Sequence, residues 1–384
     1  MGRNGRNHYP WLIWLAKLLY GNGLLKRKQI SLEGLERLDG LDGGFLVISN
    51  HVTTLDPVLI SAALPYHIRW VAGHYLFKFK ILGPILKHLA TAIPKQQGQA
   101  DYAALKAIQK AIKAKDVVGV FPEGTRTWDG DSNVKDSLTV AKMCKLFQAP
   151  LCIINLEGGY AQRPRWADKE RKGSVIVRIV DLVDPSQMSL EDLSARIEEK
   201  LYFSSDRWLK KTGVSFESPE KAEFVERMLY MCPKCQSLCS IESHKDSIRC
   251  TKCNASGLLD SSYLLKGDFG FESLVDWHRW ETENIKGIDG FSKEHGVLLR
   301  QMVNDRIRTI SQDVCVWADR TALHVLDNTA ARQYSFDWDK VSAFVINAKQ
   351  TMELIYDHVV FRLRLEPKAS ALKYMEFYDS IKRN

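Results

Sequence analysis

Ser49-Asn-His-Val-Thr-Thr-Leu-Asp56-Pro57 leaves the apolar run Phe45–Ser49, which reads as a buried strand, and enters a helix start at Pro57–Ala63. Strand, polar turn and helix in succession form the repeating unit of an α/β fold, whose strand-end loops carry the chemistry. The alternation continues outward from this stretch. Ile68–Ala72 is strand-like, His74 to Leu89 helical, Tyr102–Lys113 helical with Asp101 as its cap, and Val117–Phe121 an apolar strand. Residues 137–147 look helical, Pro150–Leu156 and Ser174–Val183 return to strand, and Ser189-Leu-Glu-Asp192 resembles a capping box opening a helix to about Tyr202. The expectation is a mainly parallel sheet with helices between its strands.

An imidazole works as a general base when its second nitrogen is oriented and its cation stabilised. Asp56, five residues beyond His51, can do both if the chain turns between them. Asp56-Pro57 also reads as an ordinary helix N-cap followed by proline, and one carboxylate can serve both purposes. A second cluster follows the Val117 strand: Phe121-Pro-Glu-Gly-Thr-Arg126. A turn of backbone N–H groups beside a guanidinium suits an oxyanion such as phosphate, although Glu123 and Arg126 pairing at a surface turn gives the same sequence.

Together the two clusters resemble the glycerolipid acyltransferases, the 1-acylglycerol-3-phosphate acyltransferase family, marked by Asn-His-x4-Asp and then Phe-Pro-Glu-Gly-Thr-Arg about seventy residues on. Both blocks are complete here, with His51 and Glu123 72 positions apart, and the resemblance covers roughly residues 10–205. It implies transfer of a fatty acyl group from acyl-CoA or acyl-carrier protein to the free hydroxyl of lysophosphatidic acid, giving phosphatidic acid in phospholipid biosynthesis. In that reading His51 is the base and Asp56 its partner, while Glu123, Gly124, Thr125 and Arg126 bind the acceptor. Lys95, ending the lesser block Gly83–Lys95, stands where many members have Arg; it keeps the charge without the two-pronged contact. Ala149-Pro-Leu-Cys-Ile-Ile154 looks like packing under the site, and nothing in the sequence explains Trp128. Another lysolipid acceptor, such as lysophosphatidylglycerol or an amino-lipid, fits the same motifs, and a non-catalytic membrane adaptor is the alternative of a different class.

The remaining chain sets the context. Its 384 residues carry 54 basic and 46 acidic side chains, 45% are hydrophobic, and this composition excludes wholesale disorder. The excess charge gathers at the start: Arg3, Arg6, Lys17, Lys26, Arg27 and Lys28 precede the first acid, Glu33. Trp11, Leu12, Trp14, Leu15, Leu18 and Leu19 cover one helical face, so residues 1–32 read as a basic interfacial segment on an anionic membrane, or as a helix packed on its own domain. Tyr9–Leu25 is too short and too polar to span a bilayer, no cleavage site follows it, and Arg6 stands where a myristoylation signal needs Ser or Thr. A peripheral or monotopic protein on the cytoplasmic face of a membrane is expected, with no nucleic-acid partner.

The acyltransferase domain is expected over 33–210, and linker helices with a ribbon over 211–290. Cys232-Pro-Lys-Cys235 and Cys250-Thr-Lys-Cys253, separated by fourteen residues, have the spacing of paired knuckles. Four thiolates suit a structural zinc, with an iron site or reduced thiols as alternatives; Cys239 and His244 are spare ligands. Cys144, Cys152 and Cys315 read as core residues. Residues 291–384 read as successive strands followed by one amphipathic helix, with the element order of a pleckstrin-homology-like or GRAM-like module.

Overall fold

The computed structural model describes residues 15, 17, 21–96, 101–132, 134, 136–303 and 306–382. Most of the expected interfacial helix lies outside these residues; Asn22–Arg27 is helical. Among the described residues no helix is long and apolar enough to cross a membrane. The chain divides into two compact units, residues 1–165 with 170–217, and residues 166–169 with 218–384.

The first unit is built on strands β1 (Ile30–Glu33), β2 (Leu46–Ser49), β3 (Ile68–Gly73), β4 (Ile93–Lys95), β5 (Val117–Val120), β6 (Leu151–Glu157) and β7 (Val175–Val183). Their order is β1-β7-β6-β2-β5-β3-β4. The sheet is mainly parallel, β6 against β7 being antiparallel. Every residue of β2 and β6 is buried, including the polar Ser49, Asn155 and Glu157, as strands covered on both faces require. Helices Tyr102–Lys113, Ser137–Phe147 and Leu190–Leu201 supply Ile108, Ile112, Val140, Cys144, Leu193 and Ile197 to a core with Ile48, Val118 and Ile153. Asp101 and Ser189 cap their helices by accepting from Ala104 N–H at 2.9 Å and Asp192 N–H at 3.0 Å.

The helix expected from His74 to Leu89 is broken. His74–Lys78 is a 3-10 turn, Leu82–Pro84 a single α turn and Ile85–Leu89 a π turn. The break falls at Phe79, whose backbone is extended (φ −73°, ψ 134°); Gly83 and Pro84 lie in the first turn of the helical run that follows, where proline's missing N–H is tolerated. A further helix, Ser205–Thr212, follows without a sequence expectation.

In the second unit, β8 (Ile241–His244), β9 (Ser247–Cys250), β10 (Ser256–Leu259) and β11 (Leu265–Gly267) form an antiparallel sheet, followed by helix Leu274–Asn284. Then come β12 (Gly290–Val303), β13 (Arg306–Ser311), β14 (Val314–Asp319), β15 (Ala322–Asp327), β16 (Arg332–Asp337), β17 (Val341–Ile346), β18 (Thr351–Tyr356) and β19 (Val359–Leu365). The order is β16-β15-β14-β12-β19-β18-β17, with β13 on β12, so the long first strand pairs with the last. Helix Leu372–Lys382 closes the chain, burying Tyr374 and Phe377. The strands β13 and β16 are too polar for the hydrophobic pattern to have marked them.

Candidate active site and metal centre

Parallel pairing of β2 with β5 brings the turns after Ser49 and Val120 to one edge of the sheet. The first turn is organised by Asp56, which is fully buried at the start of helix Asp56–Ala63. Its Oδ2 lies 2.8 Å from His51 Nδ1 and accepts from Val52 N–H at 2.7 Å; Thr53 N–H reaches both oxygens, and the Thr53 hydroxyl donates to Oδ1 at 2.6 Å. The carboxylate therefore does not cap the following helix, as Asp56-Pro57 alone suggests. It folds the preceding turn around itself, and the same act fixes the imidazole.

Three further contacts hold His51. Its backbone N–H donates to Glu123 Oε1 at 2.9 Å, and its carbonyl accepts from Thr127 N–H at 3.0 Å. Its ring stacks on Phe121 at 4.1 Å, and Phe121 stacks on Trp70 at 4.6 Å. Trp70 can lie there because β5 carries glycine: a Cβ on Gly119 would fall 2.4 Å from the indole. With Nδ1 turned to Asp56, Nε2 points away from the carboxylate, and the His51 side chain keeps 19% exposure.

Phe121-Pro-Glu-Gly-Thr-Arg126 wraps past this ring. Glu123 is buried, Gly124 and Thr125 are exposed, and Arg126 is half-buried. Burial lowers Arg126 from the ordinary guanidinium value, while Asp56 and Tyr75 oppose the shift. Lys95 is exposed at the end of β4, with its Cα in register with Gly73 on β3. Among the described residues no hydrogen bond or ion pair joins Lys95 to the two motif turns.

Arg165 was not marked by any sequence motif. It is 3% exposed; its Nη1 donates to Arg126 O at 2.7 Å and to Thr125 Oγ1 at 3.2 Å, and its guanidinium lies 4.3 Å from the centre of the Trp128 ring. Trp128, opaque in the sequence, is the buried platform beneath this arginine. Burial, reinforced by the neighbouring charge of Arg126, pushes Arg165 down to about 9, which leaves it cationic at neutral pH.

In the second unit, Cys232, Cys235, Cys250 and Cys253 bring their Sγ atoms within 4.8 Å of one another, and they could hold a metal ion. The Cys232–Cys253 and Cys235–Cys250 separations are both 3.7 Å. A tetrahedron with metal–sulfur bonds of about 2.3 Å has edges of about 3.8 Å, so the donor set fits a four-thiolate ion. Cys239 is turned elsewhere, 3.1 Å from Lys373 Nζ, and the backbone of His244 pairs with Ser247 in a hairpin. Cys144 and Cys152 are fully buried, and burial pushes both thiols up to about 12.

Comparison with known proteins bears on the first unit. Residues 29–153 match the acyltransferase family. The 1-acyl-sn-glycerol-3-phosphate acyltransferase of Bacillus subtilis is 32% identical over 111 residues, 29% of this chain and 54% of that protein. The enzyme of the same name from Helicobacter pylori is 25% identical over 171 residues, covering 43% of this chain and 72% of its own. The chain thus spans about half the length of the first of these relatives. The crystal structure of the 1-acyl-sn-glycerophosphate (LPA) acyltransferase of Thermotoga maritima overlaps 49% of this chain and 76% of its own, at 23% identity and a TM-score of 0.42.

Proposed function

We propose that this chain, whose residues 29–153 belong to the acyltransferase family, transfers a fatty acyl group from a thioester to the free hydroxyl of lysophosphatidic acid. The observation that carries the reading is the His51 ring, pinned by Asp56 at 2.8 Å with its other nitrogen turned away from the carboxylate. His51 Nε2 takes the acceptor's hydroxyl proton as that oxygen attacks the thioester carbonyl. Collapse of the tetrahedral intermediate breaks the C–S bond, and the departing thiolate recovers the proton from the imidazolium. Asp56 stabilises the imidazolium between these two transfers, a base role worth about 10²- to 10⁴-fold. No acyl-enzyme is needed.

Arg126 faces the acceptor's phosphate in this reading, with Gly124 and Thr125 lining its approach. Glu123 holds the two turns together through the His51 backbone, and Arg165 braces the second turn through the Arg126 carbonyl and the Thr125 hydroxyl. Lys95 would contribute charge at longer range. Acyl-CoA and acyl-carrier protein both supply the required thioester. Both substrates have apolar tails, which supports action at the cytoplasmic surface of a membrane.

Zinc on Cys232, Cys235, Cys250 and Cys253 would be structural, because all four positions are filled by protein thiolates. The β-rich region beyond residue 290 supports a pleckstrin-homology-like reading through its strand order and closing helix.

The test is acyl transfer from labelled acyl-CoA to lysophosphatidic acid in anionic vesicles, beside a His51→Ala control. Phosphatidic acid from the wild type and not from the variant is the expected result. Equal product from both would remove His51 as the base.

A further inference from the structure

Residues 57–100 contain no acidic side chain, while Arg69, Lys78, Lys80, Lys87 and Lys95 all fall there. Within this stretch the segment between β3 and β4 turns apolar groups outward. Phe79 is 53% exposed, Ile81 80%, Leu82 40% and Ile85 44%. Single exposed hydrophobics are normal on any protein surface, whereas four within seven consecutive positions mark an interaction site. Lys78, Lys80, Lys87 and His88 are exposed among them.

The outward display is built into the fold. Gly83 is buried, its N–H donates to Phe79 O at 2.9 Å, and an added Cβ would lie 2.2 Å from the Phe77 carbonyl oxygen. The turn at Gly83 therefore packs tightly against the Phe77 backbone, and its small residue faces inward where the large ones could not. The segment also leaves the C-terminal end of β3. Because β3, β5 and β2 are parallel neighbours, this is the edge from which His51 and Glu123 emerge. Tyr75, in the same connection, lies within electrostatic reach of Arg126 and Arg165.

We propose that residues 78–88 form a membrane-docking surface, which seats the catalytic edge of the first unit on an anionic bilayer. The lysines lie against lipid phosphates, and Phe79, Ile81, Leu82 and Ile85 enter the boundary between headgroups and acyl chains. Charge complementarity selects this occupant: a basic, acid-free rim around an apolar centre matches an anionic lipid surface. The surface is distinct in sequence from the basic segment at residues 1–32, and it explains how a lipid acceptor reaches His51 without leaving the interface. Only that last point rests on the acyl-transfer reading.

The experiment is co-sedimentation of the full chain with phosphatidylcholine vesicles, with and without added phosphatidylglycerol. The variants are Phe79→Glu with Ile81→Glu, and Lys78→Gln, Lys80→Gln and Lys87→Gln together, each also made in a Trp11→Ser, Trp14→Ser background that disables the N-terminal segment. Partitioning needs no turnover, so failure of the proposed reaction leaves this readout intact. The double glutamate variant is expected to weaken partitioning by about tenfold or more in both backgrounds. The lysine variant should lose about fivefold per lysine, on phosphatidylglycerol vesicles alone. Turnover of short-chain, fully water-soluble substrates should not change. Undiminished partitioning of the variants overturns the proposal. A parallel loss of turnover on soluble substrates would assign the patch to acyl-chain binding, and loss of a dimer in ultracentrifugation would assign it to a second copy; either also overturns it.

Discussion

The backbone N–H of His51 donates to Glu123 Oε1 at 2.9 Å, joining two turns that lie 72 residues apart in sequence. Glu123 is thereby bound to the backbone of the proposed base, and removing its carboxylate loosens the ring's support. A hydrogen bond to a charged acceptor is worth about 1.5–3 kcal/mol, so Glu123→Ala should lower kcat by about 10- to 100-fold. Glu123→Gln keeps an oxygen for the same N–H and should lose much less. If both variants change only KM for the acceptor, Glu123 serves the substrate and not the histidine.

Asp56 gathers donors from His51, Val52 and Thr53 on two oxygens. Asparagine offers one oxygen and an amide that repels the N–H groups now facing it. Asp56→Asn should therefore lower kcat by about 10²- to 10⁴-fold, the range of the base contribution it supports. It should also lower Tm, because a buried turn loses its organising acceptor. Steady-state kinetics and a melting curve read the two effects separately. Full activity with a lowered Tm would confine Asp56 to a structural role.

Arg165 and Trp128 act as one unit, cation over ring at 4.3 Å, with the guanidinium donating to the Arg126 carbonyl. Arg165→Lys loses the planar contact and one prong, and Trp128→Leu loses the platform. Each should raise KM for the phosphorylated acceptor by displacing Arg126. A double variant should be no worse than about threefold beyond the poorer single one, because contacting residues are not additive. Fully additive losses would mean that the two residues act separately.

The motif residues were legible because their chemistry is local: His51, Asp56, Glu123 and Arg126 stand in two short blocks, each at a strand end. Buried strands such as β2 and β6 declared themselves by the apolar runs Phe45–Ile48 and Leu151–Ile154. What stayed hidden depends on distance in sequence. Trp128 has meaning only beside Arg165, 37 positions later, and Trp70 only over Gly119. The leucine-rich span His74–Leu89 carries helical composition, yet the extended backbone at Phe79 interrupts its ladder. Strands β13 and β16 gain their stability from ladder pairing with β12 and β15 and show little alternation of their own.

A chelator tests the cysteine cluster. If one zinc joins Cys232, Cys235, Cys250 and Cys253, its removal takes away the constraint that holds four Sγ atoms within 4.8 Å. The purified protein should contain one zinc per chain, and stripping it should lower the melting temperature of residues 218–384 selectively. Cys250→Ser should mimic this loss, whereas Cys239→Ser should keep the metal. Retention of four reactive thiols and an unchanged melt with no metal bound would assign the cluster to reduced structural cysteines.

His67 predicts how the first unit responds to acid. Its Nε2 lies 3.0 Å from Thr91 Oγ1, and burial, opposed by Asp116 and reinforced by Arg69 and Lys17, lowers the imidazole from 6.5 to about 4. The folded state therefore resists a proton that the unfolded chain accepts. Above pH 6.5 both states are neutral and no penalty exists; as pH falls from 6.5 to about 4 the unfolded state gains protons first, and stability is lost across that window. Full burial would cost about 2 kcal/mol at about pH 5, and a half-buried ring about 1 kcal/mol after solvent screening. His67→Gln keeps a polar partner for Thr91 and removes the titration. Between about pH 7.5 and pH 5 its melting temperature should fall by about 2–4 °C less than that of the wild type. Identical acid sensitivity in both proteins would place the titrating group elsewhere.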